Sequence, residues 1–116
     1  MNPIIAPKPV LVDGPKVGDI LVGIWGYNAR LAVWARVVKV NAKTVTLVEL
    51  EDVRTYDSNK GGMFWVSVPG NPNGEEKTKL IKVLTDRTGG ITYCVKWEYC
   101  RLHPWGGNSI ECYDVN

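Results

Sequence analysis

Between residues 17 and 53 apolar and polar positions alternate in three successive blocks, VGDILVGIWGYNARLAVWARVVKVNAKTVTLVELEDV. Alternation with a period of two marks strands, whose successive side chains point to opposite faces. Val17-Gly18-Asp19 reads as the turn that launches a first strand over residues 20–25. Residues 26–30, which include Gly26 and Asn28, break that strand. A second strand is predicted over residues 31–40, with Ala32, Trp34, Arg36, Val38 and Val40 on one face and Leu31, Val33, Ala35, Val37 and Lys39 on the other. Both rows are apolar near the middle, so this strand should be central and covered on both sides. Residues 41–43 follow as a hairpin loop and 44–53 as a third strand. β-branched residues dominate throughout and no 3.6-residue stripe appears, which argues against helix.

The rest of the chain carries shorter signals. Residues 54–62 read as a polar loop ending in Gly, and 63–68 as a short strand. Residues 69–74 hold two Pro, two Gly and two Asn and are predicted to be a loop. Residues 77–84 alternate weakly and predict a strand rather than a helical turn, with a hairpin loop after it over 85–90. A last long strand is predicted over 91–102, with Tyr93, Val95, Trp97 and Tyr99 in its apolar row and Cys94, Lys96, Glu98 and Cys100 in its mixed row. Residues 104–108 form a tight turn before a terminal strand over 110–115. Five to seven short antiparallel strands with closely spaced turns predict an all-β fold, a small SH3-like barrel or roll. Residues 17–116 make one barrel domain, and Pro3, Pro7, Pro9 and Pro15 make residues 1–16 an extended N-terminal arm.

Composition narrows the class. A chain of 116 residues with 45% hydrophobic content is one domain with a real core. Five Trp and five Tyr against one Phe favour half-buried positions and contact surfaces, because both rings carry a polar tip. A net charge of +2 is too mild to argue for nucleic acid by itself. No apolar run approaches the ~20 residues of a membrane span, and the first residues lack the pattern of a secretory signal. Three Cys in that setting predict reduced thiols in a cytosol.

Several segments in order resemble a family of small uncharacterised proteins encoded by phages, prophages and plasmids. They are Gly18-Asp19-Ile20-Leu21, Trp25-Gly26-Tyr27, Lys43-Thr44-Val45-Thr46, Val68-Pro69-Gly70, Trp105-Gly106-Gly107 and Tyr113. Two departures stand out: Gly106 replaces the Asp of a Trp-Asp-Gly turn, and Asn28-Ala29-Arg30 stands where an Asp-Gln-Thr-Asn-like run is common. The resemblance implies a mobile genetic element as source and the host cytoplasm as location. It implies no activity.

Candidate chemistry is sparse. Cys94, Cys100, His103 and Cys112 are the one set with metal-ligand character, but the spacing C-x5-C-x2-H-x8-C fits no usual zinc knuckle. An unbroken strand would also hold Cys94 and Cys100 roughly 20 Å apart, and only a sharp bend at Trp97 would bring them together. With one His and no nucleophile in a recognised setting there is no triad, and Gly61-Gly62, Gly89-Gly90 and Gly106-Gly107 are turn formers, not a phosphate cradle. The sequence therefore predicts a binding protein without a cofactor, a metal or an enzymatic reaction. The candidate binding residues are Trp25, Tyr27, Arg30, Arg36, Arg54 and Trp105, with Lys60, Arg87 and Arg101 as further cations. Aromatic and Arg side chains of this kind serve as anchors for a host or phage protein. The alternative partner is nucleic acid, on which aromatic platforms stack bases between cationic contacts. An open edge strand could also pair with a second copy.

Overall fold

The structure is a computed structural model that describes residues 14–85 and 87–115; the predicted arm lies, up to residue 13, outside the described residues. Seven strands follow in chain order: β1 Ile20–Trp25, β2 Ala29–Val40, β3 Thr44–Tyr56, β4 Phe64–Thr85, β5 Ile91–Lys96, β6 Arg101–Pro104 and β7 Ile110–Asp114. All pairings are antiparallel. The sheet order is β1-β6-β5-β4-β3-β2-β7, and pairing of β1 with β2 closes six strands into a ring. This is the all-β barrel that the alternation predicted. β7 adds a second closure, because it bridges Ala29 and Arg30 of β2 to residues 64–67 of β4.

β2 is central, as its two apolar rows required, and each row enters a different core. Val33, Ala35 and Val37 face the interior of the six-stranded ring, with Leu21, Val45, Leu47, Tyr93, Val95, Trp97 and Leu102. Ala32 and Trp34 face a second core with Val48, Leu50, Trp65 and Cys112, under which Trp105 and Ile110 also pack. At Gly23 the fold admits no side chain: a Cβ there would stand 2.8 Å from a Leu102 methyl and 2.9 Å from the Arg101 carbonyl oxygen, so β6 packs directly on β1. At the β1–β2 turn Gly26 has φ +132° and Asn28 φ 56°, the left-handed region that lets the chain reverse in so few residues.

Two predicted elements differ. Residues 69–74 are not a loop: β4 runs without interruption for 22 residues, with Pro69 opposite Asp52 and Pro72 opposite Leu50. Between Leu50↔Pro72 and Val48↔Glu76 β4 advances four residues while β3 advances two, so the Pro- and Gly-rich stretch is absorbed as a bulge. β7 takes up residues 64–67 of β4 and β5 takes up residues 81–85, so the stretch between them has β3 as its one neighbour among the described residues. It is an edge there, and an edge tolerates the missing N–H of proline. The predicted last strand is the second correction. It turns back over Trp97–Cys100, closed by a hydrogen bond from the Trp97 N–H to the Cys100 carbonyl (2.8 Å), and becomes the β5–β6 hairpin with Val95 opposite Leu102. Burial of Trp97 in the ring core holds that turn, which has no Gly or Pro.

Smaller adjustments follow. β2 begins two residues early because Ala29 and Arg30 have β7 to pair with, and β3 runs on to Tyr56 against β4. The remaining 57–63 loop contains a single 3-10 turn, Ser58–Lys60, capped by Asp57, whose carboxylate accepts the Asn59 N–H (3.0 Å).

Candidate functional site

The second core is open at one end, and the reason lies in register. β3 pairs with β2 as far as Leu50, opposite Trp34. Beyond that, β2 leaves to meet β7, while β3 continues through residues 52–56 with β4 as its one partner among the described residues. The gap is a cleft of about 550 Å³, lined by Arg30 from β2, Thr55 and Tyr56 from β3, Phe64, Trp65 and Val66 from β4, and Glu111, Cys112 and Tyr113 from β7, with Asp57 beside it.

A polar chain runs from the bottom of this enclosure to its mouth. The Trp34 indole N–H donates to the hydroxyl of fully buried Ser67 (2.7 Å), and that hydroxyl donates to the Asp52 carboxylate. The other Asp52 oxygen accepts from the Arg54 Nε (2.8 Å). The guanidinium then lies over the Trp65 ring, 4.2 Å from its centre, and Tyr56 meets the same ring edge-on at 5.5 Å. Asp52, Arg54 and Tyr56 alternate along one face of β3, so a single strand sets all three. Held between a carboxylate and a π face, the guanidinium is oriented before anything binds. Arg30 is fixed on the opposite lip by donation from its Nε to the Glu111 carbonyl (2.9 Å), and Phe64 and Tyr113 pack together beside it at 6.0 Å. The Trp65 indole N–H is buried without a hydrogen-bond partner among the described residues. Burial, then the Asp52 charge, pushes the Cys112 thiol up, so it stays protonated at neutral pH.

The six predicted binding residues do not form one site. Arg30 lines this cleft, and Arg54 lies over Trp65, which lines it too. Trp25 sits at the far side of the ring against Tyr99, with ring centres 4.6 Å apart. Tyr27 is on the β1–β2 turn, 87% exposed. Arg36 is half-buried within β2, in register with Ile20 and Val48. Trp105 covers the second core edge-on to Trp34 (5.3 Å), and its indole N–H closes its own turn onto the Asn108 carbonyl (2.6 Å). Tyr56, Phe64, Trp65 and Tyr113 complete the mouth and were not singled out by sequence. Trp65 in a Met-Phe-Trp-Val run reads as core, and only the β3–β4 pairing places it under Arg54.

The bend at Trp97 removes the distance argument that separated Cys94 from Cys100. Even so, among the described residues no group of three or more His, Cys, Asp or Glu side chains converges to hold a metal ion. Cys112 lies in the second core. No helix among the described residues is long and apolar enough to cross a membrane.

Comparison of the chain with family models, curated proteins and solved structures gives no match.

Proposed function

We propose that this is a non-enzymatic binding module that engages an extended segment of a protein partner at the mouth of the second core. The observation that carries this reading is the convergence of Tyr56, Trp65, Phe64 and Tyr113 with Arg30 around one open cleft, with the pre-oriented Arg54 stacked on the Trp65 that lines it. Aromatic rings and Arg are the side chains that dominate binding energy at protein interfaces. Arg30 lines the cleft with Asp57 and Glu111, and Arg54 is paired with Asp52 beside it, so no excess of positive charge gathers there and the affinity rests on contact, not on a long-range field. Residues 52–56 of β3 also present a strand edge to which an extended peptide adds main-chain hydrogen bonds. The resemblance to proteins of phages, prophages and plasmids supports a mobile genetic element as source, a host or phage protein as partner and the host cytoplasm as place of action.

A photo-crosslinking amino acid at Thr55, activated in host lysate with and without nuclease, tests the reading. The expected result is one discrete protein adduct that survives nuclease and elevated salt. It should disappear in R54A/Y56A, and the purified partner should rebind the wild type. An adduct that nuclease removes, or that R54A/Y56A retains, overturns it.

A further inference from the structure

We infer that a second, independent surface, on the outside of the six-stranded ring, takes single-stranded nucleic acid. Two clefts, of about 360 and 740 Å³, share Tyr99, Cys100 and Arg101 and so form one continuous trough across β4, β5, β6 and β1. Its cations come from three neighbouring strands. Lys96 of β5 stands opposite Arg101 of β6, and Lys82 of β4 stands opposite Cys94, two residues from Lys96 on the same face of β5. Adjacent strands are ~4.8 Å apart, so the three charges share a patch about 10 Å wide. All three side chains are exposed, and His103 adds a fourth basic group farther along. Among the described residues the carboxylate lining the trough is that of Glu98, and Lys77 already engages it, a hydrogen bond that holds its pKa below the ordinary value, while the charge of Glu49 also acts on Tyr99.

The trough also has a stacking platform. Trp25 and Tyr99 are 39% and 52% exposed and lie against each other at 55°. Neither belongs to the core that fills the ring. Exposed rings at the end of a cationic track match the recognition of unpaired bases, whose faces are free to stack, while the faces of duplex bases are hidden. A surplus of lysine argues against a protein occupant here, since lysine is depleted at the centres of protein interfaces. The electrostatic case that a net charge of +2 could not make is made locally, by segregation of charge.

Fluorescence anisotropy of the full chain with labelled oligo-thymidine tests this. Three phosphate contacts give a salt exponent of about −2, so affinity should fall ~20-fold between about 50 and 200 mM salt. K96E/R101E should weaken binding at least ~10-fold with an unchanged circular-dichroism spectrum. K82Q/K96Q serves as the milder variant and should lower the salt exponent by more than one. W25A should weaken binding at least ~5-fold, the low end of one lost stack. R54A/Y56A should bind oligo-thymidine as the wild type does, which separates this surface from the protein-binding mouth. Absence of binding at the lower salt, equal binding by K82Q/K96Q, or equal affinity for a duplex of the same length would overturn the inference.

Discussion

On one face of β2, Val33, Ala35 and Val37 look into a ring that six strands close; on the other, Ala32 and Trp34 look into an enclosure that β3 leaves open. The closed side is aliphatic apart from Tyr93 and Trp97. The open side carries a hydrogen-bonded chain from a fully buried indole to a surface guanidinium. The difference teaches where specificity can reside. A closed apolar ring stabilises the fold and presents nothing, whereas an incomplete closure leaves buried polar groups that must be satisfied and a cleft whose walls they orient.

Substitution at the two centres tests how far each core supports the fold. Trp34→Ala is expected to cost ~3–5 kcal/mol, and Leu47→Ala in the ring ~2–5 kcal/mol, by urea unfolding. If Trp34→Ala proves nearly neutral, the second core is an appendage and the comparison fails. Ser67→Ala isolates the polar chain: it strands the Trp34 N–H and one Asp52 oxygen, with an expected loss of ~1–3 kcal/mol. The same variant should also weaken partner binding at the mouth, because Asp52 no longer has a fixed position from which to hold Arg54. Unchanged stability and binding would show that the chain does not couple core to cleft.

On the closed side, the Tyr93 phenol titrates. Burial, reinforced by the charge of Asp19, pushes the Tyr93 phenol up to about 12 from 10.0. The unfolded chain then loses this proton first. The stabilisation is complete below pH 10 and is lost as pH rises from 10 towards 12. Tyr93→Phe should therefore show a shallower loss of stability over that interval than the wild type, and identical slopes would remove the assignment. The smallest effect is expected at the Lys77–Glu98 pair: both partners are exposed, so Lys77→Ala should leave the melting temperature unchanged within error. A clear drop would mean that Lys77, through Glu98 or through the Trp97 ring 5.3 Å from its ammonium, helps to hold the β5–β6 turn.

Much of this arrangement was legible in the chain. The alternation of β1 to β3, the double apolar face of β2 and the turns at 41–43 and, among the described residues, 87–90 all follow from local pattern, because a half-buried strand must alternate and a tight reversal needs particular residues. The prolines of β4 misled because a Pro-Gly-Asn run signals a turn wherever neighbours are unknown; Pro69 and Pro72 are tolerated because the strand is an edge at that point. The turn at Trp97–Cys100 left no trace, since its residues are ordinary strand formers and a buried indole makes the bend.

The candidate site divides in the same way. Sequence alone determined the all-β class, the faces of the central strands and the residue types suited to binding, because those depend on spacing along one chain. Tertiary structure decided which of them meet. Arg54 finds Trp65 through the β3–β4 pairing, Arg30 reaches the same cleft because β2 leaves β3 for β7, and Lys82, Lys96 and Arg101 gather only when the last predicted strand folds back on itself. Contacts between distant residues depend on register and on where a ladder ends, and neither is written in any local stretch of the chain.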